Sequence, residues 1–383
     1  MKKTIFLLFS VIIFFGLLVF VSSSAVFKPG DIGLGKYTSG YSPKINGYSI
    51  HGMNSMTSLL DLKKGWAKRG QKEVILWLGN SQLHGINQMK IGDKNCIDYS
   101  FCSFTKYNER KEVLGFSLPN ANLMEFLVVF LEASNQMLIK DLIILVCFDD
   151  IRENGLRTEL SDTVCSKMTL KELNDVPDIG ASLVNELRKG YKTNELNKKD
   201  LTAVNKSKTI PWIPTLIQER SEAFLNKEFD KYCLLWEKRS SMRGYIFNWL
   251  FKLRNTVLFI KADSKRKILR GPYQSNFKAL TTILSISKDQ NIKVLLYVSP
   301  IRNDVPIPYD SNEYSLFKKE LILLANQYNA RFVNLENLVP PKYWGFKEST
   351  NIFQSDEVDY MHFQAAGHKL ISDTIVELLK ELK

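Results

Sequence analysis

The chain is expected to fold as an α/β domain with a mainly parallel sheet covered by helices on both faces. Three observations predict it. Short, continuous apolar runs recur at residues 74–78, 142–148 (LIILVCF) and 293–299 (KVLLYVS). They are separated by segments of helical periodicity, such as 121–136 with Leu123, Phe126, Leu127, Phe130 and Leu131. Unbroken apolar strands that alternate with helices are the signature of strands buried on both faces. Residues 112–117 read as a shorter strand and 331–335 as an edge candidate. Residues 314–328 and 365–382 read as amphipathic helices. The alternation breaks between 155 and 270, which is charged and helical in pattern. We expect a helical insertion there, with 71–154 and 271–383 forming the α/β core and 26–70 an irregular tether.

With 383 residues, 45% of them hydrophobic and 24% charged, the composition is globular. The net charge of +12 favours anionic partners. The basic residues are scattered and no groove-like run interleaves them with aromatics, so nucleic acid is not an expected partner. Lys2 and Lys3 precede an apolar run from residue 5 to 21. That run is long for a signal-peptide core and just reaches the length of a membrane span, so residues 1–25 are expected to be a signal anchor rather than a cleaved signal. In either case the remainder is expected outside the cytoplasm, beside envelope lipid or polysaccharide. In that compartment two of the five cysteines, Cys96 and Cys102, either close a short disulfide loop or remain thiols, while Cys147 reads as core. No CxxC or HxxxH spacing supports a metal site, and no cofactor is expected. Within 243–261, apolar residues alternate with Lys252 and Arg254; this stretch either packs on the core or lies in a membrane interface.

The strand at 74–78 runs directly into Gly79-Asn80-Ser81-Gln82. These are turn formers, and a serine at a strand end is also where an activated nucleophile sits. A serine nucleophile requires a base and an orienting carboxylate. Of the four histidines, His362 follows Asp359 by three residues, just before the last helix. We expect one tight loop to deliver both. His84, close after Ser81, is a candidate neighbour of the site. His368 reads as structural, and His51 carries no supporting pattern.

Gly79-Asn80-Ser81 near one end and Asp359-x-x-His362 near the other resemble the SGNH (GDSL-type) hydrolase superfamily, over residues 74–150 and 290–383. Asn80 stands where the usual motif has aspartate. The resemblance implies a three-layer α/β/α sandwich with a five-stranded parallel sheet. It also implies a catalytic triad of Ser81, His362 and Asp359. Oxyanion donors are implied at the Ser81 N–H and in a second block, where the family's glycine falls on Asn120. Asn tolerates positive φ better than other non-glycine residues. In the third block Asp149 stands where an asparagine donor is usual. An ionised carboxylate cannot donate to an oxyanion. Asp149 is therefore expected to be protonated, to turn toward Arg152, or to mark an inactive site. Gln82 and Arg302 are further candidate neighbours, Arg302 for an anionic substrate group.

The anchored branch of the superfamily resembles the D-alanine transfer and alginate acetylation proteins, which implies work beside a membrane-bound O-acyltransferase. The expectation is a membrane-anchored serine acyltransferase or esterase acting on an acyl group of an envelope polysaccharide or lipid. Its rivals are a stand-alone secreted esterase or lipase and a catalytically inactive envelope-binding scaffold.

Overall fold

The structure, a computed structural model, describes residues 44–83, 111–205, 249–353 and 356–381. The N-terminal apolar run, His84 and the Cys96–Cys102 pair lie outside them. The chain divides into two compact units. The larger comprises Leu34–Lys199, Ala262–Lys347 and Asp356–Lys383; the smaller comprises Met1–Gly33, Asp200–Lys261 and Glu348–Ser355.

The larger unit is built on a six-stranded sheet. A small hairpin, β1 (Lys44–Ile45) and β2 (Tyr48–Ser49), leads into the edge strand β3 (His51–Met53) and helix α1 (Met56–Lys68). Then come β4 (Glu73–Gly79), β5 (Lys111–Ser117), α2 (Leu123–Ser134) and β6 (Ile139–Val146). Helices α3 (Lys167–Asn174), α4 (Gly180–Asn205) and α5 (Arg270–Asp289) precede β7 (Lys293–Val298). The chain continues through α6 (Ser311–Gln327), β8 (Arg331–Asn334), β9 (Trp344–Glu348), β10 (Asp356–Phe363) and α7 (Ala365–Lys380). The order β3-β5-β4-β6-β7-β8 is parallel throughout. This is the α/β class expected, with one strand more than the five implied.

The extra strand corrects the reading of 26–70 as irregular. Three residues, His51–Met53, pair with Gly115–Ser117 at the sheet edge, too few to show a periodic signal. Helix α1 follows, capped by the Ser55 side chain on Ser58 N. The insertion is helical through α3 and α4, yet residues 262–269 contain no helix. There Arg266 forms a parallel bridge with Tyr309.

The central strands are buried on both faces, as their apolar runs require: Leu76, Leu142, Ile143, Ile144, Leu295 and Leu296 have no more than 1% exposure. Helix α2 is buried along nearly its whole length, and an Asn122–Glu125 capping box closes its N-terminus. Glu125 also receives Arg157, so the loop ahead of α2 is pinned from two sides. The parallel register places Gly79 beside Ser117 and Val146 beside Val298, which gathers the strand ends on one rim.

Gly79 is required where β4 ends. A Cβ there would lie 2.6 Å from Leu83 Cβ, because the chain folds back through Leu83 N–H to Asn80 O (3.0 Å). Gly79→Ala is expected to lower stability by about 1–3 kcal/mol through overpacking. Urea unfolding would show it as a lower midpoint with unchanged slope.

Candidate active site

Ser81 sits in the turn after β4, so the bland and the functional readings of Gly-Asn-Ser describe the same residue. Asn80 makes the turn. Its Oδ1 accepts the Gln82 N–H at 3.0 Å, while its Nδ2 points down to Asp150 at 3.2 Å and to Cys147 Sγ at 3.1 Å. Asp150 in turn accepts the Cys147 N–H at 2.8 Å. The floor of the site is thus a buried carboxylate that holds the turn carrying Ser81.

The opposite wall is the end of β10. His362 Nε2 lies 2.9 Å from Ser81 Oγ, across 281 residues of chain. His362 Nδ1 lies 3.0 Å and 3.1 Å from the two Asp359 oxygens. The expected loop is in fact the end of an eight-residue strand. Asp359 Oδ1 draws it tight by accepting the N–H groups of Met361 and His362, both at 3.0 Å. The carboxylate therefore orients its histidine twice, through the ring and through the backbone. Burial works to raise the Asp359 carboxyl. The nearby His362 ring and the N–H bonds from His362 and Met361 outweigh burial and hold it below the usual carboxylate range. A low-lying acid stays ionised and fixes Nδ1–H on the ring, which leaves Nε2 to accept the serine proton.

Between these walls lies a cavity of about 170 Å³, bordered by Ser81, Asn120, Asp149, Arg266, Lys347 and His362. Asn120 has a positive φ of 52°, as its place in the second block suggested. Neither the Ser81 nor the Asn120 backbone N–H has an acceptor among the described residues. Backbone donors with no acceptor among the described residues, on two residues that border a cavity, are what a developing oxyanion would need beside a nucleophilic serine.

Asp149 follows the second of the three expected courses. Its carboxylate accepts from Arg152 Nη1 at 3.2 Å, from Arg266 Nη1 and from Tyr309 OH at 3.1 Å. Two guanidinium groups thus surround one carboxylate. Arg152 is committed to Asp149 and to Lys267 O, and Arg266 is the one that reaches the cavity. Arg266 was not legible in the sequence. It lies in the segment read as helical insertion and arrives through its bridge to Tyr309 and its ion pair with Asp149.

Arg302 corrects an expectation. Its side chain is 10% exposed and is taken up by Asp304 and by Gly345 O at 2.8 Å, while its own N–H donates to Tyr360 O at 3.1 Å. It ties β9 and β10 to the end of β7 and does not face the cavity. Gln82 likewise points inward, donating to Pro300 O at 2.7 Å. His51 bonds Ser117 Oγ at 2.7 Å. Burial, with His362 nearby, drops His368 to about 3, which keeps it neutral. Among the described residues no group of three His, Cys, Asp or Glu side chains is placed to hold a metal ion.

No protein-family model matches the chain, and no curated protein matches it. Solved structures do. A candidate acylhydrolase of Bacteroides fragilis aligns over 84% of this chain and 97% of its own, at 12% identity and a TM-score of 0.37. A candidate arylesterase of Agrobacterium tumefaciens aligns over 82% and 100%, at 10% identity and a TM-score of 0.32.

Asp150 yields a pH prediction. Burial, the largest influence, pushes its carboxyl up to about 7, against the bonds from Cys147 and Asn80. The folded chain therefore holds a proton that the unfolded chain releases at its ordinary value. The stability this confers is complete below about pH 4 and is lost as pH rises through about 7, a fall on the order of 4 kcal/mol. Asp150→Asn is expected to flatten that slope. Urea titrations between pH 4 and 8 with both proteins test it; parallel curves would contradict it.

Proposed function

We propose that the protein is a serine acyl hydrolase or acyltransferase of SGNH type. The single observation that carries this reading is the Ser81–His362–Asp359 chain of hydrogen bonds, set beside two backbone N–H groups that have no acceptor among the described residues.

In the proposed reaction Ser81 Oγ attacks the carbonyl carbon of an ester, and its proton passes to His362 Nε2. Asp359 stabilises the resulting imidazolium without taking its proton. The negative charge gathers on the former carbonyl oxygen, facing the N–H groups of Ser81 and Asn120. Collapse expels the alcohol, which takes the proton from His362, and leaves an acyl group on Ser81. The second half repeats the steps in reverse with water, or with an acceptor hydroxyl, as the nucleophile.

We further propose that the acyl group belongs to an envelope polysaccharide or lipid, and that residues 1–25 anchor the chain at the membrane. The apolar run behind two lysines and the net charge of +12 support that setting. Partnership with a membrane-bound O-acyltransferase follows from the resemblance alone. A scaffold without turnover is the second reading, favoured by Asp149 on the cavity wall. Against it stands the engagement of that carboxylate by two arginines and a tyrosine.

Hydrolysis of 4-nitrophenyl acetate by the full chain separates the two. Ser81→Ala and His362→Ala are expected to lose about 10³-fold or more in kcat/KM, and Asp359→Asn about 10²–10⁴-fold. Unchanged turnover in Ser81→Ala would remove the proposal. No turnover by the folded wild-type protein on this or longer acyl esters would favour the scaffold.

A further inference from the structure

The smaller unit presents an apolar tip that the acyl chemistry does not use. Residues 249–257 are helical and end at a turn formed by Leu258 and Phe259. Phe259 N donates to Thr256 O and Ile260 N to Asn255 O. That pair of bonds is the Schellman ending, in which the residue after the cap takes positive φ and is usually glycine. Here it is Phe259, at φ 54°. A bulky residue in that region is strained, so the fold holds an aromatic where the local backbone would favour its absence. The strain does not serve burial, because Phe259 is 84% exposed and its neighbours Val257 and Leu258 are 63% and 60% exposed.

A second segment of the same unit does likewise. Phe353 is 85% exposed, next to the exposed Ile352. Its backbone N–H is held by Asn351 Oδ1 at 3.1 Å. The two segments are stapled together. Buried Asn255 donates to Thr350 O at 3.1 Å, and Ile352 N donates to Thr256 Oγ1 at 3.0 Å. Both aromatics are therefore presented by hydrogen-bonded turns of one body.

Charge selects the partner. Residues 249–261 carry Lys252, Arg254 and Lys261 and no acidic residue. The Arg254 guanidinium lies 4.8 Å from the Phe251 ring centroid and bonds the neutral Asn255 carboxamide, so its charge stays uncompensated by those contacts. Trp249, Leu250 and Phe251 are exposed along the same helix. Aromatic and aliphatic tips among cations match the boundary between anionic headgroups and acyl chains.

We propose that residues 257–260 and 352–353 form an interfacial wedge that seats the smaller unit on an anionic bilayer. The wedge uses none of the residues around Ser81, so it stands or falls apart from the acyl reading.

The test uses the full chain reconstituted in vesicles of phosphatidylcholine and phosphatidylglycerol whose acyl chains are brominated. Phe259→Trp and Phe353→Trp add a fluorophore at each tip, and Leu323→Trp adds one at an exposed position of the larger unit. Bromines quench only what enters the acyl region, and an interfacial element sinks ~5–10 Å, so the added emission at 259 and 353 should fall by about half or more. That at 323 should stay. Replacing Lys252, Arg254 and Lys261 by Glu, or omitting phosphatidylglycerol, should restore the emission. Three equal responses would overturn the proposal, since the N-terminal run alone would then account for them. So would a blue shift that grows with protein concentration in detergent while the vesicle emission stays unquenched, which would assign the tip to a second copy of the chain.

Discussion

The site depends on one contact, the 2.9 Å approach of His362 Nε2 to Ser81 Oγ. The two residues belong to elements that share no sheet. Ser81 is fixed to the rim of the six-stranded sheet, whereas His362 lies near the end of a strand that, among the described residues, pairs with β9 alone. What closes the gap is a set of ties between the β9–β10 pair and the sheet. Arg302 N–H holds Tyr360 O, the Arg302 guanidinium holds Gly345 O, and Gln364 N–H holds Tyr343 O at 2.7 Å. Phe363 adds an edge-on contact with Trp344, at 5.2 Å between centroids. The position of the His362 backbone is thus set by several hydrogen bonds, and that of its ring by the Asp359 carboxylate.

Beneath that contact lies an electrostatic arrangement in which Asp149 stands where the resemblance implies an asparagine. Two adjacent carboxyl groups follow β6. Asp149 is surrounded by two arginines and a tyrosine, whereas Asp150 is buried with Asn80 and the Cys147 N–H. Each is satisfied, and in different ways. The outer carboxylate is matched by cationic charge. The inner one is matched by neutral donors and is driven toward its protonated form by burial. Arg266 consequently brings a guanidinium to the cavity at the point where an unmatched carboxylate would have repelled an oxyanion.

Much of this was legible in the sequence because it rests on local signals. The buried strands are runs of apolar residues, and Gly79-Asn80-Ser81 is a strand end followed by turn formers. Asp359-x-x-His362 places an acid and a base within one short segment. Asn120 came from the resemblance, which puts a glycine there, and its residue type tolerates the positive φ found. What escaped was carried by distant partners. Three residues of β3 cannot show periodicity, so the sixth strand was invisible. Arg302 looks like a solvated loop charge until its partners, two backbone carbonyls and Asp304, are known. Arg266 has no local signal, because its role comes from a bridge to Tyr309 and an ion pair with Asp149.

The most direct test of the central claim is intact-mass analysis after exposure to a fluorophosphonate, which phosphonylates a serine whose proton a neighbouring base takes as it attacks. One adduct per chain, mapped to Ser81 and absent from His362→Ala, is the result this account predicts. A folded wild-type protein that takes up no probe, or takes it up on another serine, would contradict it.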